Sequence, residues 1–95
     1  MKTRPQITET SVPRLPPHVK LRFDETRGQW IVLAPEWLLV PDDIALEILR
    51  LVDGAATVGV IADALAAKFS AARAEVAADV VEMLQDLADK GMIAA

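Results

Sequence analysis

Ninety-five residues with no cysteine, one histidine and a formal net charge of −4 make a single small domain, without disulfides, without thiolate metal sites and without the basic surplus of a nucleic-acid binder. No apolar run approaches the roughly 20 residues that span a bilayer, and the residues after Lys2 and Arg4 are polar and proline-rich where a signal peptide would turn apolar. A soluble cytoplasmic domain is expected, and because 53% of it is hydrophobic, part of that apolar surplus is expected to face a partner.

Residues 1–17, with Pro5, Pro13, Pro16 and Pro17, cannot sustain a helix or an interior strand and read as a flexible tail ahead of one domain over residues 18–95. From Val19 the chain alternates, with Val19, Leu21 and Phe23 on one side and Lys20 and Arg22 on the other, as a half-buried strand requires. Asp24 to Gly28 is a turn, and Trp30 to Ala34 is a second strand, apolar on both faces. Trp37 to Val40, fenced by Pro35 and Pro41, is a third strand at the sheet's edge. A helix follows at once: Asp42 is its N-cap, Ile44, Ile48, Leu49 and Val52 repeat at helical spacing, and Gly54 offers the stop. Thr57 caps a second helix through Phe69 that buries Val58, Ile61, Leu65 and Phe69, although Gly59 and Val60 weaken its first turn. After a break at Ser70, a third helix runs from Arg73 to Lys90 until Gly91 ends it and Met92-Ile93 folds back onto the core. The fold class is α+β, a three-stranded antiparallel sheet followed by three helices, with a winged helix-turn-helix outline.

Charge divides along the same line: residues 1–30 carry six Lys/Arg against three Asp/Glu, and residues 31–95 carry four against eleven. On the third helix, Val76, Val80, Met83, Leu84 and Leu87 form a core stripe, and Glu75, Asp79, Glu82, Asp86 and Asp89 an acidic one. The sector left over holds Ala74, Ala77, Ala78, Val81, Gln85 and Ala88. A helix covering one sheet needs no second apolar face, so either another backbone comes close there or alanine simply fills exposed positions.

No arrangement of residues carries catalysis. His18 has no cysteine or carboxylate cluster with which to bind zinc, Ser11 and Ser70 lack a nearby base, and the four glycines make no phosphate-cradling pattern. Acids three and four apart on a helix are a solvated face whose mutual repulsion is small, roughly 0.2–0.5 kcal/mol per pair. Neither a metal nor an organic cofactor is expected. On the residues alone two function classes can be weighed. One is a DNA-binding winged helix, opposed by the acidic third helix; the other is a structural dimerisation domain, for which the open edge strand and the Pro35 and Pro41 hinges would allow strand exchange into a homodimer.

Four segments in order, R-L-P-P-H-V-K-L-R-F-D-E-T-R-G-Q-W-I-V-L-A-P-E (Arg14 to Glu36), I-L-R-L-V-D-G (Ile48 to Gly54), I-A-D-A-L-A (Ile61 to Ala66) and L-Q-D-L-A-D-K-G-M-I (Leu84 to Ile93), together resemble the PqqD family of pyrroloquinoline quinone biosynthesis. The resemblance implies a non-catalytic peptide chaperone that binds the precursor peptide PqqA and presents it to the radical S-adenosylmethionine enzyme PqqE, which cross-links a Glu and a Tyr within the peptide. It also implies that the peptide adds as a strand beside the third strand and packs on the third helix. Here that places Trp37, Leu38, Leu39, Val40, Arg73, Ala77, Val80, Val81 and Leu84 in the binding site. Two positions depart from the family pattern: Trp37 stands where a polar or basic residue is expected, and Gly59-Val60 where an acidic pair is.

Overall fold

A computed structural model describes residues 6–95. Strands β1 (Lys20–Asp24), β2 (Gln29–Ala34) and β3 (Trp37–Leu39) form an antiparallel sheet in the order β1-β2-β3, followed by helices α1 (Asp43–Arg50), α2 (Val58–Phe69) and α3 (Arg73–Asp89). Directly opposed residues of an antiparallel pair share a face. Leu21↔Val32↔Leu39 and Ala34↔Trp37 therefore lie on the helix side, and Lys20↔Leu33↔Leu38 and Arg22↔Ile31 on the outer side. The turn between β1 and β2 is closed by Asp24, whose Oδ1 accepts from the Thr26 and Arg27 amides, and by Gly28 at positive φ. β3 stops one residue short of the expected Val40, where Pro41 has no N–H to continue a ladder.

The helix ends follow from local chemistry. Asp42 Oδ1 accepts from the Ala45 amide, and Thr57 Oγ1 from the Val60 amide. α1 ends at Arg50 rather than running to Gly54, because the Leu51 and Val52 amides turn back to the Ile48 and Leu49 carbonyls and tighten the last turn. Asp53 then closes the loop through the Ala55 and Ala56 amides. At the end of α3, the Gly91 amide donates to Ala88 and the Met92 amide to Leu87, the pair of bonds that a left-handed glycine makes possible and that turns Met92 and Ile93 back into the interior.

The proline-rich stretch, expected to stand apart from a domain beginning at residue 18, takes a different course. Its first five residues lie outside the described ones; residues 6–17 form a strap laid on the helices. Prolines bar it from helix and sheet but leave its carbonyls free, and these meet amides that the rest of the fold leaves without partners. The Glu9 and Ser11 carbonyls accept from Gly59 and Val58 in the first turn of α2, Pro13 accepts from Gly54, and Arg14 exchanges two hydrogen bonds with Ala94. Ile7, only 2% exposed, joins Val19, Val32, Ile48, Leu49, Val58, Ile61, Val80, Leu84 and Met92 in one core.

Candidate functional site

Several large apolar side chains are left exposed along one stretch of chain, and Val12, Phe23, Val60 and Phe69 are exposed elsewhere. Trp37 and Leu38 on β3 are half exposed, and Val40 and Ile44 follow, α1 beginning four residues after β3 ends. Ile44 at 59% and Phe69 at 50% exposure both fall on the core stripes of their helices by spacing, and yet they leave the core. Between them the start of α1, the end of α2 and the start of α3 stand apart around a recess of about 170 Å³, lined by Ile44, Ile48, Leu65, Phe69, Val76 and Val80, with Glu47 and Asp79 in its wall. Lys68 at its rim is held 2.6 Å from Glu47, with its ammonium 5.5 Å from the Phe69 ring centre. The outcome is a strand at the sheet's edge and, reached by the chain a few residues later, an apolar hollow that Ile44 lines.

The two-residue Pro35-Glu36 connection closes on the Ala34↔Trp37 pair. In a hairpin of that length the closing pair exchanges both backbone hydrogen bonds, so Leu38, next along, turns its N–H and C=O away from β2, while Leu39 points its amide inward. Its side chain follows the core face, packed against the core cluster. Of the expected strand residues, Trp37, Leu38 and Val40 are thus open and Leu39 is structural.

The expected helix residues do not join them. Val80 and Leu84 are core residues, 1% and 0% exposed, and of the two Val80 also lines the recess between the helices. Ala77 and Val81 belong to the second apolar flank of α3, and the strap runs along it: Ile7 donates its amide to Gln85 Oε1 at 2.8 Å, and an open hollow of about 970 Å³ is lined by Gln6, Ile7, Ala74, Ala77, Ala78 and Val81. Arg73 is the clip between the parts, 2.6 Å from Glu9 Oε1 on the strap and 2.7 Å from Asp63 Oδ1 on α2, with a further bond to the Gly59 carbonyl. The hydrogen bond to Asp63, then that to Glu9, raises its pKa above the ordinary guanidinium value and holds it charged. The flank of α3 that turns toward α1 is instead the one bearing Val76 and Asp79. Ile44 and Phe69 line this recess exposed, although periodicity assigns both to the core, and Val76 lines it while still packing on the core cluster.

Residues 29–93 match the family described as PqqD, coenzyme PQQ synthesis protein D. The chain belongs to the PqqD family. It is 62% identical over 87 residues to a PqqA binding protein of Rhodopseudomonas palustris strain HaA2, spanning 92% of this chain and 85% of that one. It is 45% identical over 84 residues to the bifunctional coenzyme PQQ synthesis protein C/D of Methylorubrum extorquens, covering 88% of this chain and 23% of that longer one. The solution structure of the PqqD truncation of Methylobacterium extorquens PqqCD, a stand-alone recognition element for ribosomally synthesized and post-translationally modified peptides, superposes with a TM-score of 0.79 at 43% identity over 94% of this chain and 95% of that one. The crystal structure of PqqD from Xanthomonas campestris gives 0.61 at 38% identity, over 94% and 99%.

PqqD membership makes this chain a binding protein of pyrroloquinoline quinone biosynthesis rather than a catalyst. The family's strands-then-helices order also explains the winged-helix outline without DNA: Glu75, Asp79, Glu82, Asp86 and Asp89 on α3 are all exposed and would oppose phosphates. No described helix is long and apolar enough to cross a membrane.

Proposed function

We propose that this chain is the peptide chaperone of its pathway: in the cytoplasm it binds the precursor peptide PqqA by strand addition to the free edge of β3 and presents it to the radical S-adenosylmethionine enzyme PqqE. The observation that carries this reading is the set of exposed apolar side chains at the β3 edge together with the recess at Ile44, Phe69 and Val76. Strand addition draws affinity from main-chain bonds and specificity from pockets that take alternate side chains; here the outward groups of Leu38 offer the bonds and the recess a pocket. The names of the relatives agree with a peptide ligand. The helix side of the groove is then the Val76 flank of α3, in place of Ala77 and Val81. Calorimetric titration with PqqA tests this: saturable binding that Val76→Arg weakens about tenfold, roughly 1.4 kcal/mol, is expected, and equal affinity of parent and variant would refute it. In the absence of peptide the same open edge is free to pair with a second copy of the chain. Sedimentation with and without PqqA should then show a dimer that the peptide dissolves.

A further inference from the structure

The recess between the helices has a chemistry more particular than its apolar lining. Ile48, Leu65 and Val80, none more than 4% exposed, form its floor, and the exposed side chains of Ile44 and Phe69 stand at its mouth. At about 170 Å³ it falls below the roughly 300–1,000 Å³ of pockets that hold a small-molecule ligand, and it suits a single side chain. Two carboxylates line it, Glu47 from α1 and Asp79 from α3, and no basic residue does. Their situations differ. Glu47 is held by Lys68 at 2.6 Å, and the same ammonium stands 5.5 Å from the centre of the Phe69 ring. Asp79 is exposed and, among the described residues, takes part in no ion pair. Of the four Lys and Arg after residue 30, Lys68, Arg73 and Lys90 are paired with other carboxylates and Arg50 lies over the Trp30 ring at 5.0 Å, so none of them answers Asp79.

The protein's own lysine shows what one side of the recess receives: an ammonium on an alkyl stem, set between a carboxylate and an aromatic face. The α3 side offers a carboxylate with no cation against it. We infer that the recess selects a lysine or arginine of the bound peptide, its alkyl stem on the apolar lining and its charged head at Asp79. This rests on the reading of the recess as the peptide's pocket. An acidic side chain there would meet two carboxylates against the one ammonium of Lys68, and a purely apolar one would fill the floor and leave Asp79 unanswered. Lysine and arginine alone bring both an apolar stem and a positive head. Asp79 is then the residue that sets the pocket's preference, while Ile44, Phe69 and Val76 supply its contact area.

The test is calorimetric titration of PqqA, at low and high salt, into the parent and into Asp79→Asn and Asp79→Lys variants. It is repeated with PqqA peptides in which each Lys and Arg is replaced in turn by Met, which keeps an unbranched apolar stem and removes the charge. Asp79 is exposed, so both variants should fold as the parent does, which circular dichroism checks. Expected are a parent affinity that weakens with salt, a loss of up to about fivefold in Asp79→Asn, the range that an exposed ion pair supplies, and a loss of about tenfold or more in Asp79→Lys, where repulsion is added. One Met replacement should weaken binding to the parent and not to Asp79→Asn, the coupling that a direct contact requires. Equal affinity of the parent and both variants overturns the inference. So does tighter binding by Asp79→Lys, which would put an acidic residue in the recess, and so does a full set of Met replacements none of which couples to Asp79, which would leave an apolar occupant. If Val76→Arg still weakens binding in any of these cases, the peptide reading stands and this inference alone falls. Failure of the parent to bind PqqA, or a Val76→Arg variant that binds as the parent does, would sink the reading of the recess and the inference with it.

Discussion

Gly59 shows how a residue that looks wrong locally is right globally. A glycine in the first turn of α2 gives up helix propensity, up to about 1 kcal/mol relative to alanine. Yet a Cβ there would meet the Glu9 carbonyl oxygen at 3.3 Å and an Arg73 guanidinium nitrogen at 3.4 Å, so the glycine is what lets the strap lie against the helix. Gly59→Leu should therefore push the strap off, seen as faster amide exchange at Val58 and Ile7 with α3 unchanged. The strap's anchor is tested by Ile7→Ala, which should cost about 2 kcal/mol in denaturant melts, the low end for a buried aliphatic because a terminal segment can relax. Asp53 supplies a pH signature. Its carboxylate is held below the usual carboxylate range by the Ala56 amide and then the Ala55 amide. A folded value below the unfolded one, about 3.9, means that the stabilisation is complete above the unfolded value and vanishes as pH falls through the folded one. Asp53→Ala should melt below the parent at pH 7, and the two curves should converge in acid.

At the scale of elements, what was legible in the sequence is what local chemistry decides. The caps at Asp42 and Thr57, the left-handed Gly91 and the alternation of β1 act within a few residues of themselves, so strand and helix bounds fall within a few residues of expectation. The strap was not legible, since a segment held by carbonyls on another element's amides has no periodicity to read. Nor was the exposure of Ile44 and Phe69: spacing reports a helix face, but how far α1 and α2 stand from α3 is decided by packing among residues distant in sequence. The β3 edge gives this scale its own prediction. Leu38→Pro removes an outward N–H and should lower PqqA affinity while the melt stays near the parent's. Leu39→Pro removes an inward one and should destabilise the domain by about 0.5–1.5 kcal/mol for the bond plus strain. Thermal melts and calorimetry on both variants check the pair, and equal effects of the two on binding and stability would mean that β3 is not read from its edge.

At the scale of the whole molecule, the chain divides its work among surfaces. The strap and α3's alanine flank hold the fold together through Ile7, Gln85 and Arg73. β3 lies at the sheet's edge, and the recess between the helices stays open. Substitution on the strap flank should therefore behave unlike substitution at the recess: Val81→Arg should loosen residues 6–14 and leave PqqA affinity near that of the parent. The central claim is that peptide occupies the β3 edge and the recess. It is met most directly by following the amide resonances of isotope-labelled protein as unlabelled PqqA is added. The account predicts the largest shifts at Leu38 and Val40, accompanied by Ile44, Phe69 and Val76, with Ile7 and Gln85 still. Shifts centred on Ala77, Val81 and Gln85, with the strap released and β3 unmoved, would contradict it.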